Sequence, residues 1–151
     1  MPLTNFFLNP IILSNLVSTS MTDVLDEMVE FLVAQKLIPL DLKEKALSAL
    51  LVREGKLSTA VGDGLAIPHA SIGGLPDPVV IVAKSEKGIL HSSPDGKPIY
   101  LFFLVLVPSH DYGAHLRTLA QIGKFLSQPS MKQKLCSIQE PSDLVKLFKS
   151  I

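Results

Sequence analysis

Apolar residues recur at helical spacing after Ser20. Val24, Met28, Phe31 and Leu32 share one face while Asp26, Glu27 and Glu30 take the other, which predicts an amphipathic helix capped by Ser20 or Thr22. A second helix is expected to open on Asp41 and Glu44 in a capping-box-like arrangement, to bury Leu47, Leu50 and Leu51, and to stop near Gly55. Two apolar runs read instead as strands. Val79 to Ala83 is short, and Ile99 to Val107 (IYLFFLVLV) is the strongest in the chain; such runs fit strands covered on both faces. Ser92 to Gly96 (SSPDG) between them is turn chemistry. From His115 the chain returns to helical spacing, with Leu116, Leu119, Gly123 and Leu126 inside, Arg117, Gln121 and Lys124 outside, and Gly123 expected to permit close packing. Pro141 and Ser142 open a terminal helix with Leu144, Val145, Leu147 and Phe148 as its apolar positions. Helices and buried strands interleaved along one chain predict an α/β fold, a single three-layer α/β/α domain over residues 1–151.

Composition narrows the function classes. Of 151 residues, 47% are hydrophobic and 19% charged, which excludes a disordered or acidic-tail protein and leaves enough apolar side chains for a large core. Fourteen Lys and Arg balance fourteen Asp and Glu. With no basic surplus or Lys/Arg cluster, nucleic acid is not expected as a partner. The single Cys136 excludes an internal disulfide and fits a reducing compartment. The apolar stretch Phe6 to Leu16 lacks a positive flank, since the first basic residue is Lys36, so no secretory signal is read and a cytoplasmic location is expected. The run at 99–107 is too short to span a bilayer, so direct membrane insertion is not expected.

Between Ser58 and Ala70 the periodicity gives way to STAVGDGLAIPHA. His69 follows Pro68, whose ring fixes its own φ and biases Ile67 towards extended geometry, so the imidazole is expected at the end of a short strand, already oriented. Gly62 and Gly64 allow backbone N–H groups to approach an anion, and Ser58 and Thr59 add hydroxyls. Together these read as a site for a dianion beside a neutral nucleophilic nitrogen, the needs of phosphoryl transfer. Arg53, at the end of the second helix, either supplies a fixed cation or complements the helix C-terminus. His91 and His110 lie in polar surroundings and read as solvated loop residues. The GDG at 62–64 lacks the spacing and the Lys of a Walker loop, and no GxSxG is present. His110, Asp111 and His115 do not stack on one helical face and there is no HExxH, so no metal site is assigned; a metal hydrolase using His69, His110 and His115 is the third reading.

Arg53-Glu54, a gap, then Ser58 to His69 (STAVGDGLAIPH) resemble the signature of the type 2 IIA domains of the phosphoenolpyruvate-dependent phosphotransferase system, the fructose, mannitol and nitrogen-regulatory group. The segment LVLVPSHDYGAHLRTLAQIGKFL resembles that family's second landmark, a buried strand ending in Pro, then a His opening a helix. The resemblance implies a mixed β-sheet with helices on both faces. It also implies His69 as phosphoacceptor from an HPr-type carrier, His115 as a second active-site histidine that contacts the phosphoryl or steers the imidazole, and Arg53 as holder of the phosphoryl charge. Thr59, with nearby backbone amides, would complete the cradle. No cofactor is implied, because the donor is another protein's phosphohistidine. The favoured reading is a nitrogen-type regulatory IIA protein that binds target proteins. One alternative is a sugar-specific IIA subunit passing its phosphoryl group to a IIB partner. Another is a binding module that has lost phosphotransfer, suggested by Ala60, where the family usually has Gly, and by the acidic Asp63.

Overall fold

A computed structural model describes residues 11–13, 15–110, 112–128, 130–138, 140, 142–143 and 146–147. Strand β1 (Ile12–Leu13) leads into helix α1 (Met21–Ala34), and a 3-10 turn (Leu40–Leu42) runs directly into α2 (Lys43–Lys56). Four strands follow: β2 (Ala60–Gly62), β3 (Leu65–Ala66), β4 (His69–Ile72) and β5 (Val79–Ile89). The chain continues through β6 (Ile99–Pro108), α3 (Tyr112–Leu126) and α4 (Met131–Cys136).

The apolar run at 99–107 becomes β6, at the centre of a mixed sheet. β5 pairs antiparallel on one side of it; β3 and then β4 pair parallel on the other. β1 adds parallel to β5, and β2 antiparallel to β3. Every β6 residue except Tyr100 is buried, because strand alternation sends Phe102, Leu104 and Leu106 to one face and Leu101, Phe103, Val105 and Val107 to the other, and both faces are covered. The first face packs on α1 and α2 through Val24, Leu25, Met28, Leu32, Ala46 and Leu50. The second packs on α3 and α4 through Ile122, Phe125, Leu126, Met131 and Leu135. The expected α/β/α layering is therefore present, and each large apolar side chain of β6 contributes roughly 1.5–3 kcal/mol of transfer free energy.

Ser20 caps α1, its hydroxyl accepting from the Asp23 N–H at 3.2 Å. Other expectations need correction. The capping box at Asp41 and Glu44 does not form; α2 has no side-chain cap because the 3-10 turn supplies its first residues. β5 extends to Ile89, past the expected end at Ala83, through an irregularity in its pairing that accommodates the polar Lys84 to Gly88. The helix expected from His115 begins at Tyr112; Leu126 is buried and Leu119 packs partly against the core as expected, Ile122 and Phe125 join them, Leu116 is half exposed, and among the described residues nothing packs close to Gly123. α4 carried no expectation. The terminal helix expected from Pro141 lies mostly outside the described residues, as do Asp111, Leu144, Val145 and Phe148. No helix among the described residues is long and apolar enough to cross a membrane.

Candidate functional site

Pro68 has no N–H to contribute to a sheet ladder. The strand that starts at Leu65 breaks at Ile67-Pro68, and His69 opens β4 instead of ending β3 as expected. The interruption still ties into the sheet, since the Pro68 carbonyl accepts from the Val105 N–H at 2.9 Å and His69 pairs with Val105. Ala70 and Ile72 belong to the α1/α2 side, so alternation puts the half-buried His69 on the α3 side of the sheet, the side where Ile67 packs. Its Nδ1 lies 2.9 Å from the Ile67 carbonyl oxygen. A carbonyl only accepts, so Nδ1 carries the proton and donates it. In the neutral ring Nε2 then holds the free lone pair.

Ser58 and Thr59 lie beside this turn. The Ile67 N–H donates to the Thr59 carbonyl at 3.1 Å. Thr59 is buried and spends both donors on Glu54, its N–H at 2.8 Å from Oε2 and its hydroxyl at 2.6 Å from Oε1. Ser58 donates its hydroxyl to the Ser92 carbonyl and accepts from the Ala60 N–H at 3.1 Å. Arg53 donates through Nη1 to the Leu57 carbonyl at 2.6 Å, closing the C-terminus of its own helix, the second of the two roles its position suggested.

The two glycines do something other than expected. Gly62 pairs with Leu65 across a two-residue turn, and its centre, Asp63 and Gly64, has φ of 55° and 80°, the all-positive geometry of a type I′ hairpin, which an Asp-Gly pair favours. Leu65 stands opposite Leu101 and His69 opposite Val105. Four residues of strand at about 3.3 Å each separate the hairpin from His69 by roughly 13 Å. Gly62 and Gly64 therefore shape the hairpin tip and do not cradle an anion on His69. The tip is fastened by Asp95, which accepts from the Asp63 N–H at 2.8 Å; that bond, with the Lys97 N–H and the Ser93 hydroxyl, holds the Asp95 carboxyl below its ordinary value. Asp63 thus lies away from His69, and Ala60, a buried strand residue outside the positive-φ set, is unstrained.

His115 is the fourth residue of α3. The C-terminal end of that helix, at Leu126, lines a cleft with Gly64 and Tyr100, so α3 runs antiparallel to β6. Eleven helical residues back from Leu126 cover roughly 16 Å, as do the five strand residues from Tyr100 to Val105. The backbone of His115 therefore stands level with Val105 and its neighbour His69. Leu119, one turn further along α3, packs in the same cluster as Ile67.

Glu54 and His91 form a pair that the sequence does not announce. Glu54 is buried, its Oε2 accepting from the His91 Nε2 at 3.0 Å, and His91 is half-buried instead of solvated. The Glu54 signal was present: it continues the α2 stripe Ala46–Leu50 at a further four residues, a carboxylate on an apolar face. Nothing in the order of residues links it to His91, 37 positions on. His110 is exposed in the turn after β6, as expected of a loop residue.

Residues 5–151 match the family described as "Phosphoenolpyruvate-dependent sugar phosphotransferase system, EIIA 2". A fructose-specific EIIA component of Haloferax volcanii is 39% identical over 95 residues, 63% of this chain and 62% of that protein, so the match spans less than two thirds of the relative. A nitrogen regulatory protein of Pseudomonas aeruginosa is 32% identical over 111 residues, 74% of this chain and 71% of that one. Among solved structures, the nitrogen regulatory protein IIA-Ntr of Neisseria meningitidis superposes with a TM-score of 0.80 at 26% identity, covering 93% of this chain and 94% of its own. A complex of IIA mannitol with phosphorylated IIB mannitol from Escherichia coli gives 0.72 at 14% identity over 93% and 94%, a likeness of fold.

Proposed function

Because the chain belongs to the EIIA 2 family of the phosphoenolpyruvate-dependent sugar phosphotransferase system, we propose that it is a phosphoryl carrier whose acceptor atom is Nε2 of His69. The observation that carries this reading is the hydrogen bond from Nδ1 to the Ile67 carbonyl, which commits the proton to one nitrogen and leaves the other as nucleophile. In the step itself, the Nε2 lone pair forms a bond to phosphorus while the N–P bond of the donor's phosphohistidine breaks, its electrons returning to the donor ring. Nδ1–H stays in place, so the step needs no separate base. The donor is an HPr-type carrier, and no cofactor takes part.

Such a step is governed by positioning and by charge. Arg53 is the cation for the roughly dianionic group, reaching it with guanidinium N–H groups other than the one on Leu57 or by releasing that carbonyl. One contact at about 4 Å is worth on the order of 4 kcal/mol at an effective dielectric near 20, before desolvation. His115, level with His69, is the second histidine, contacting the phosphoryl or steering the acceptor ring. Thr59 and Ser58 support the Ile67–His69 turn from its flank. Residues 1–151 act as one IIA-type unit in the cytoplasm.

Two destinations for the phosphoryl group have support. The fit to IIA-Ntr of Neisseria meningitidis over nearly the whole chain favours a regulatory protein that binds targets according to its phosphorylation state. The 39% identity to a fructose-specific component favours transfer to a IIB partner for sugar uptake. Incubation with phosphoenolpyruvate, the first enzyme of the system and an HPr-type carrier, followed by intact mass measurement, tests the shared core. The wild-type chain gains one phosphoryl group and His69→Ala gains none; no gain, or a gain that survives His69→Ala, overturns it. Adding a purified IIB protein to the phosphorylated chain then separates the destinations, since only the sugar-specific reading predicts rapid transfer.

A further inference from the structure

His91 is linked to His69 by four successive hydrogen-bonded contacts that pass through Glu54, Thr59 and Ile67. Its Nε2 donates to Glu54 Oε2 at 3.0 Å, a carboxylate being able only to accept. Glu54 in turn receives both donors of Thr59, the Thr59 carbonyl receives the Ile67 N–H, and the Ile67 carbonyl receives Nδ1–H of His69. The Glu54 side chain is only 6% exposed and that of His91 25%. The carboxylate is thus held in one place by three donors from two separate segments. A neighbouring bond, from the Ser58 hydroxyl to the Ser92 carbonyl, fastens the same two segments together.

We propose that His91 and Glu54 form a positioning pair for His69, fixing Thr59, and through it the Ile67 carbonyl, so that the acceptor ring keeps its proton on Nδ1. The inference rests on the reading of His69 as the acceptor. Neither residue touches the reacting atoms. Pro68 makes the arrangement sensitive: with φ of Pro68 fixed, the Ile67 carbonyl has few ways to follow the ring, so a displacement of Thr59 is transmitted to the Nδ1 bond. Without that bond a neutral imidazole divides between its tautomers, and the fraction protonated on Nε2 has no lone pair there for phosphorus.

The test uses the full-length chain, ¹⁵N-labelled, with His91→Phe, which fills the space without a donor, and His91→Gln, which keeps one. Long-range ¹H–¹⁵N spectra of the neutral His69 ring report the tautomer directly, and phosphoryl transfer from phosphorylated HPr-type carrier reports the consequence. The His91→Phe variant should show a mixed tautomer signal and transfer about fivefold slower, the factor that one ordinary hydrogen bond is worth, with KM for the carrier unchanged. The His91→Gln variant should stay within about twofold of wild type, because the donor to Glu54 survives. If His91→Phe fails to fold, Thr59→Val, which removes the adjoining hydroxyl, should shift the His69 ring signals in the same direction. Wild-type ring signals and rate in His91→Phe overturn the proposal, and so does a Gln variant as impaired as the Phe variant. A wild-type chain that takes no phosphoryl group defeats the carrier reading instead, while the ring spectra still decide the positioning pair.

Discussion

Thr59→Val is the most informative single change near the site, because it removes one hydrogen bond while keeping the side-chain shape. The Thr59 hydroxyl lies 2.6 Å from Oε1 of Glu54, with both residues more than nine-tenths buried. Valine fills the same space with a methyl group, leaving that carboxylate oxygen without its donor among surroundings that admit little water. A hydrogen bond to a charged group contributes about 1.5–3 kcal/mol, so the expected loss is about 2 kcal/mol. In a chain of this length that lowers Tm by roughly 4–8 °C. Thr59→Ser is the paired control: it keeps the hydroxyl and removes one buried methyl, for about 0.8 kcal/mol. Urea denaturation and calorimetry of the three proteins provide the measurement, with the m-value expected to stay constant. Valine should be clearly the more damaging of the two. A serine variant less stable than the valine variant would show that Thr59 matters as apolar volume and would refute the hydrogen-bond account.

Two further predictions concern parts of the fold away from His69. Burial of the Glu27 carboxyl opposes its ionisation, yet the Ser18 hydroxyl and the N–H groups of Val17 and Ser18 outweigh that and hold it below its ordinary value of 4.5. The unfolded chain therefore takes up this proton first as pH falls; the stabilisation is complete above 4.5 and is lost as pH drops through the lowered folded value. Urea stability should fall more steeply below pH 4.5 in wild type than in Glu27→Gln, and parallel curves would contradict it. Gly88→Ala should cost about 2–4 kcal/mol by combining a positive φ with overpacking: at φ 82° the added Cβ would come 2.7 Å from the Tyr100 ring and 2.9 Å from Pro98. An unchanged denaturation midpoint would show that the bend in β5 relaxes freely.

What could be read along the chain, and what could not, divides by the range of the interaction. The α1 face, the cap at Ser20 and the central place of β6 follow from periodicity and from one local bond, so they are visible in a dozen residues. The break in the strand at His69 was legible in part, because Pro68 acts on its immediate neighbours. The glycines misled for the same reason: Gly62 and Gly64 satisfy an anion cradle and an Asp-Gly hairpin equally well as a local pattern, and only the register against β6 places them about 13 Å from His69. Leu119 and Leu126 of α3 were legible from spacing, whereas the burial of Ile122 and Phe125 is set by Phe103 and Val105 of β6, on the sheet face the helix covers. The Glu54–His91 bond joins residues 37 apart. A carboxylate on the α2 stripe announced that some partner existed, and only the fold could name it.

The proposed acceptor atom is Nε2 of His69. The most direct measurement is a ³¹P–¹⁵N correlation on ¹⁵N-histidine-labelled chain after phosphorylation by an HPr-type carrier. The expected product is a single phosphohistidine with phosphorus bonded to Nε2 of His69 and Nδ1 still protonated. Phosphorus on Nδ1, or on any other histidine, would contradict it.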